Sequence, residues 1–189
     1  MTAFVRVIFV MLLMSFDIVG CSRGADQAIE ALNAEALKLV QAGQVAQAME
    51  KASAALEKAE AENGAVHPAV AASAVTQGLI YQAMGEIDKA EAAHLRALSI
   101  VNKTSGPDSE EAAKIMNNLA GLYYTKKQNA EAASFYKQAL AIVEKKFPAD
   151  DPRLAVLKKN IAVCEGKVTE TAVTSGHRPG IFFSTANLG

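Results

Sequence analysis

The chain has 189 residues, the size of one ordinary domain, and its 19 Lys and Arg residues nearly balance 20 Asp and Glu residues, for a net charge of -1. This balance produces no global field that would attract nucleic acid, so we expect none as a partner. Its 2 cysteines and 3 scattered histidines supply no disulfide framework and no metal-ligand spacing, so we expect no metal and no cofactor. The abundance of alanine favours an all-α fold.

An apolar segment lies near the N-terminus. Residues 7–16 carry no charge and follow Arg6. A helix of this length covers about 15 Å, whereas the hydrocarbon core of a membrane is about 30 Å thick. A run too short to span, placed after a basic residue and before small residues, is typical of a secretory signal. The sequence therefore predicts a signal peptide over residues 1–20.

Residues 18–21, Ile-Val-Gly-Cys, end this segment. They resemble the bacterial lipobox, in which aliphatic and small residues precede a cysteine that receives a diacylglyceryl group before cleavage. The resemblance implies lipidation of Cys21, attachment to the membrane through the lipid chains, and a place in the bacterial cell envelope facing the periplasm. Ser22 after the cysteine implies the outer membrane. The alternative is ordinary cleavage near Gly20 or Ala25, which would release an unlipidated protein.

The middle of the chain repeats at a fixed spacing. Alanine recurs at two equivalent positions of each unit, at Ala48, Ala90 and Ala132 and at Ala55, Ala97 and Ala139. A fixed period of about 42 residues indicates a solenoid, in which each unit buries its apolar face against the next. Apolar residues at helical spacing, interrupted near Gly43, Gly85 and Lys127, predict two helices per unit. Glycine suits the left-handed conformation that ends a helix, so we expect a tighter or strained turn at Lys127.

Other residues mark the boundaries of the helices and their buried faces. His67 and Asp151 each stand before a proline, and Ser109 precedes two glutamates, so we expect all three to cap helix starts. Cys164 falls on the apolar register of a last helix, and we expect it to be buried without a redox role. His94 occupies a position that suits an aromatic ring, so we expect it to pack between helices.

These features resemble the tetratricopeptide repeat, whose helix pair carries small residues at its eighth, twentieth and twenty-seventh positions. The eighth position holds Ala36, Gly78 and Ala120 here. The long repeat unit, with "NNLAGLYY" and "ALAIVEK" inside it, is similar to the kinesin-light-chain subtype. The resemblance implies a right-handed superhelical solenoid of helix-turn-helix repeats over residues 26–168, with about three repeats and a C-terminal capping helix. We predict a linker over 21–25 and a flexible tail over 169–189. The alternative for the tail is that its apolar run Ile181-Phe182-Phe183 docks on the capping helix or in the groove.

The resemblance also implies where a partner binds. In this family the first helix of each pair lines the concave side and contacts the ligand. The corresponding positions of the third unit and the capping helix hold Lys114, Asn117, Asn118, Tyr124, Lys159 and Asn160. Amide side chains donate and accept at once, and lysine favours an acidic partner. We expect these residues to bind a peptide or protein, although the asparagines are equally compatible with ordinary solvated helix positions.

Three classes of function are open. The first is a non-enzymatic scaffold, lipid-anchored and facing the periplasm, that binds a protein or peptide in its concave groove. The second is an enzyme, which we do not expect because the sequence contains no nucleophile elbow, phosphate loop, metal motif or acid-base pair. The third is a secreted or periplasmic unlipidated adaptor that self-associates into a homo-oligomer.

Overall fold

A computed structural model describes residues 26–167. The predicted signal peptide at 1–20, the linker at 21–25 with its lipidation site Cys21, and the tail at 169–189 lie outside the described residues. Within the described range the chain is all-α, as the sequence predicts. The helices are α1, whose described residues are 26–41, α2 at Val45–Asn63, α3 at Pro68–Ala83, α4 at Ile87–Thr104, α5 at Glu110–Thr125, α6 at Asn129–Lys146 and α7 at Pro152–Cys164.

Side-chain caps start α3, α5 and α7, as the sequence predicts. The His67 Nδ1 accepts a hydrogen bond from the backbone N–H of Ala69 at 3.2 Å. The Ser109 hydroxyl accepts from the backbone N–H of Ala112 at 3.2 Å, and the Asp151 carboxylate from that of Arg153 at 2.9 Å. Each cap satisfies a backbone donor that the first turn of a helix leaves unpaired.

Tight turns join the two helices of each pair. Gly43 and Gly85 both have a φ of 76°, and Lys127 at the equivalent position of the third pair has a φ of 60°. A residue with a Cβ atom loses about 1 to 2 kcal/mol in this left-handed conformation, which glycine adopts freely. Of the two outcomes predicted for Lys127, a tighter or a strained turn, this positive φ favours the strained one.

The described chain divides into two compact units, residues 26–93 and residues 94–167. In the first unit α2 packs against α3, and Ala36, Ala48, Ala52 and Ile80 form a core cluster without exposed surface. A buried hydrogen bond of 3.0 Å, from the Asn33 amide to the Ser73 hydroxyl, joins α1 to α3. Small side chains therefore allow the helices of this unit to approach closely.

In the second unit α6 packs against both α5 and α7. Tyr136 of α6 is only 8 % exposed. Burial raises its pKa to about 12, and the neighbouring Cys164 and Tyr124 add to the effect. Cys164 is a free, buried residue at the end of α7, which confirms its predicted structural position. The last helix thus covers the apolar side of α6.

The small residues of the repeat lie in the helix contacts. The three repeats have nine such residues, and all are buried. They are Ala36, Gly78 and Ala120 at the eighth position, Ala48, Ala90 and Ala132 at the twentieth, and Ala55, Ala97 and Ala139 at the twenty-seventh. A larger side chain at these points would force the helix backbones apart. The period read from the sequence is therefore the period of the packing.

His94 of α4 is a buried polar residue in the second unit. Its side chain has no exposed surface, and neither ring nitrogen has a hydrogen-bond partner. Burial disfavours the charged imidazolium and lowers the pKa of His94 from 6.5 to about 4. The ring is therefore neutral at pH 7 and acts as a packing group, in the role that the sequence predicts. Its equivalent one repeat later is Tyr136.

Candidate functional site

Two helices of the second unit carry all the residues that the sequence assigns to partner binding. Short connections at 126–128 and 147–151 join α6 to α5 and to α7. Both helices are therefore antiparallel to α6 and run parallel to each other. Lys114, Asn117, Asn118 and Tyr124 lie on α5, and Lys159 and Asn160 lie on α7.

A cluster of charged groups ties the N-terminal ends of α5 and α7 together. The Arg153 guanidinium donates from Nη1 to the Glu110 carboxylate at 2.9 Å, across 43 residues of sequence. It also donates from Nε and Nη2 to the two oxygens of Asp151, at 2.9 and 2.8 Å. Its carbon Cζ lies 3.6 Å from the centre of the Phe147 ring, a cation–π contact. Arg153 is thus held on three sides and fixes the start of α7 against the start of α5.

The basic partners lower the pKa of both acidic residues of this cluster, Asp151 and Glu110. Hydrogen bonds from Arg153 lower the pKa of Asp151 to about 2. At Glu110 partial burial opposes ionisation, but the hydrogen bonds and charges of Lys114 and Arg153 outweigh burial and lower the pKa. Both carboxylates therefore stay ionised at neutral pH and hold the two helix ends together.

Lys114 belongs to the same cluster. Its ammonium lies 3.1 Å from the Glu110 oxygen that also accepts from Arg153. A shared carboxylate compensates much of the positive charge that the sequence places at this end of the surface. Since Lys114 and Arg153 meet at one oxygen, Lys114 lies on the side of α5 that faces the start of α7. The next turn on that side of α5 carries Asn117 and Asn118.

The amide residues form the central part of the surface. Asn117, Asn118 and Asn160 are half-buried, and Lys159 is exposed. Asn117 and Asn118 stand one repeat before Lys159 and Asn160, so the two pairs lie at the same level along two parallel helices tied at their first turns. We call these four residues the α5–α7 polar face. It offers several amide donors and acceptors beside one exposed ammonium group.

Tyr124 and Gly121 continue this side of α5 towards its C-terminal end. Tyr124 is half-buried and lies close enough to Tyr136 to contribute to its raised pKa. A Cβ atom on Gly121 would stand 3.9 Å from the Tyr136 hydroxyl, an ordinary contact distance. The surface therefore ends in a tyrosine-rich region that has room beside Gly121.

Arg153, Phe147 and their carboxylate partners were not among the residues that the sequence assigns to the site. The dipeptide Asp151-Pro152 marks a helix start, but nothing in the local pattern indicates that the next residue reaches Glu110. Such a contact depends on the packing of α5 and α7 against α6. It can be recognised only when the fold is known.

No helix among residues 26–167 is long and apolar enough to cross a membrane. The same residues contain no group of three or more His, Cys, Asp or Glu side chains placed to hold a metal ion.

Comparison with known proteins agrees with this architecture. Residues 70–145 match the tetratricopeptide repeat family. No curated protein matches the sequence. Repeats of this family suggest a protein–protein interaction scaffold.

Several solved structures have a similar fold. BtubC (BKLC) from P. vanneervenii superposes with a TM-score of 0.63 at 21 % identity, over 83 % of this chain and 68 % of that one. A kinesin-light-chain-like protein of Podosopora anserina with nearly identical TPR-like repeats gives a TM-score of 0.68 at 22 % identity, over 74 % and 66 %. A point variant of the same protein gives 0.67 at 21 % identity, over the same shares of 74 % and 66 %. This chain thus spans about two thirds of each of these structures. The family match over residues 70–145 and these structural likenesses agree: the described chain has the all-α helix-turn-helix fold of tetratricopeptide-repeat solenoids.

Proposed function

We propose that the protein is a non-enzymatic scaffold that binds a protein or peptide partner on the α5–α7 polar face. The observation that carries this proposal is the contact between Arg153 and Glu110, which holds the two helices in one arrangement. A surface held in place before binding loses little conformational entropy when a partner arrives. The repeat match to residues 70–145 supports the same class of function.

The chemistry of the face indicates the kind of partner. Asn117, Asn118 and Asn160 can each donate to a carbonyl oxygen and accept from an N–H group, which suits the main chain of an extended peptide. The ammonium of Lys114 already shares Glu110. The exposed ammonium of Lys159 is therefore the group that would meet an acidic side chain of the partner.

The scaffold is anchored to the membrane, in our proposal, through lipid on Cys21, and faces the periplasm from the outer membrane. Support for the anchor comes from the sequence of residues 18–21 and from Ser22. Only residues 22–25 separate Cys21 from the first described residue of α1. Four residues span at most about 14 Å, so the bound partner would be kept near the bilayer.

Crosslinking from the surface tests the binding face. A photoreactive amino acid is placed at Asn117 or Asn160 of the full chain in intact cells, and at the exposed Glu131 of α6 as the matched control. We expect a discrete adduct from the first two positions and none from the third. The double substitution Asn118→Ala and Lys159→Ala should then reduce the adduct severalfold. Equal adducts from all three positions would show that binding does not involve this face.

Metabolic labelling tests the anchor separately. Cells that express the protein are grown with a radioactive fatty acid, and Cys21→Ala is the control. We expect label in the wild-type protein and none in the variant. Equal labelling of both proteins would refute lipidation at Cys21 and leave the binding face untouched.

A further inference from the structure

Ala162 of α7 occupies the eighth position of a fourth repeat, one period after Ala120. Its equivalents Ala36 and Ala120 have no exposed surface, and their helices α1 and α5 are each followed by a second helix, α2 and α6. Ala162 is only half-buried. The described residues contain no second helix after α7, so the position reserved for a close helix contact stays partly open.

An open groove between α6 and α7 adjoins this position. Its apolar part consists of Leu140, Ile161 and Ala162, and its rim consists of Lys137, Lys158, Glu165 and Lys167. The last described residue, Lys167, thus lies at the edge of the groove. The chain leaves the described fold at the place where apolar surface remains to be covered.

The turn after α7 has the same hydrogen bonds as the turn after α5. Gly166 has a φ of 69°, its N–H donates to the carbonyl of Val163 at 3.0 Å, and the N–H of Lys167 donates to the carbonyl of Ala162 at 2.9 Å. After α5, Lys127 donates to Tyr124 at 2.9 Å and Gln128 to Tyr123 at 2.9 Å. There the chain reverses and starts α6 against α5. The same pattern of hydrogen bonds therefore ends α7 and α5.

An ion triplet holds this turn in place. The carboxylate of Glu165 lies 2.6 Å from the ammonium of Lys137 on α6 and 2.6 Å from that of Lys167. These hydrogen bonds lower the pKa of Glu165 to about 2, so the triplet stays charged at neutral pH. The turn after α7, as far as Lys167, is therefore tied to α6.

We propose that residues 168–189 fold back over α7 and cover Leu140, Ile161 and Ala162, in the place that a second helix takes in the earlier repeats. The run Ile181-Phe182-Phe183 supplies the large apolar side chains for this contact. Residues 168–180 can reach any point on α7, because a helix of 13 residues is about 20 Å long and an extended chain covers about 3.3 Å per residue. The segment that the sequence predicts to be a flexible tail is then a docked one.

Proteolysis at the two phenylalanines tests this docking. Chymotrypsin cleavage after Phe182 and Phe183 is followed by mass spectrometry in the purified full chain and in a synthetic peptide of residues 168–189. We expect cleavage in the full chain to be at least ten times slower than in the peptide. The variant Ala162→Glu places a charge in the groove, so we expect it to be cleaved as fast as the synthetic peptide. In the matched control Val156→Glu, at a position on α7 that is 40 % exposed and outside the groove lining, the rate should stay slow.

Two results would overturn the proposal. The first is cleavage of the wild-type chain as fast as that of the peptide. This result needs no variant, so it holds even if circular dichroism shows that Ala162→Glu does not fold. The second is protection that increases with protein concentration, because the groove would then be covered by a second copy of the chain.

Discussion

Replacement of His94 by phenylalanine should stabilise the protein, and more strongly in acid. In the wild-type fold both ring nitrogens are buried without hydrogen-bond partners. A phenyl ring keeps a flat aromatic group at this position and removes both polar atoms. The equivalent residue of the next repeat, Tyr136, is also a buried aromatic ring.

The expected magnitude has two parts. At pH 7 removal of unsatisfied buried nitrogens gains about 1 to 3 kcal/mol, less any steric cost of the larger ring. The second part depends on pH, because the pKa of His94 is lowered from 6.5 to about 4 in the folded protein. Between these values the unfolded chain binds a proton that the folded protein does not, so wild-type stability falls as the pH decreases from 6.5 to 4. At pH 4.5 this loss amounts to about 2 to 3 kcal/mol, and His94→Phe avoids it.

Urea denaturation followed by circular dichroism at pH 7 and pH 4.5 measures both parts. Carboxylates that titrate in this range affect wild type and variant alike, so the change in their difference isolates His94. Tyr136→Phe is the matched control, and its difference from wild type should be the same at both pH values, since the pKa of Tyr136 is about 12. If the advantage of His94→Phe does not widen in acid, the ring of His94 is solvated or paired, and our reasoning fails. A steric penalty cannot imitate this result, because it would be equal at both pH values.

Three further changes test other parts of the structure. Lys127→Gly should raise the free energy of unfolding by about 1 kcal/mol in urea denaturation, because glycine adopts a positive φ without strain; a loss of stability would refute strain at that turn. Arg153→Gln should return the pKa of Asp151 from about 2 towards 3.8 in an NMR titration, since hydrogen bonds from Arg153 are the main cause of its low value; an unchanged pKa would exclude that pairing. Gly121→Ala should raise the thermal midpoint, because alanine gains about 1 kcal/mol in helix propensity over glycine. The added methyl group fits without a clash, since it would lie 3.9 Å from the Tyr136 hydroxyl, an ordinary contact distance. A lower midpoint would show that the site has no room for it.

The fold could be predicted from the sequence because its signals are local and repeated. The small residues that recur once in every repeat identify the helix contacts, and residues such as Ser109 and Asp151 mark helix starts through their own chemistry. Lys127 could be placed in a turn because two glycines stand at the same position of the earlier repeats. Each of these inferences needs only neighbours along the chain or an equivalent residue one repeat away.

The candidate site could be predicted only in part, because charge compensation depends on tertiary contacts. The pattern assigns Lys114 to the surface that a partner would contact, and the structure places it on α5 next to Glu110. It does not reveal that Glu110 compensates the charge of Lys114, or that Arg153 reaches the same carboxylate from a helix 43 residues away. The sequence therefore suffices to propose candidate residues, whereas the compensation of their charges can be recognised only in the fold.

The use of alanine in the helix contacts has a consequence for how the protein tolerates change. An alanine methyl group buries little apolar area, so each contact contributes only a small share of the hydrophobic stabilisation. Ala48, Ala90 and Ala132 are already fully buried, and a bulkier residue at any of them has no free space to occupy. Evolution can therefore vary the outer faces of these helices widely, while the contacts between them accept almost no increase in size. Sequence drift should accumulate on the surfaces available to partners and leave the spacing of the helices constant.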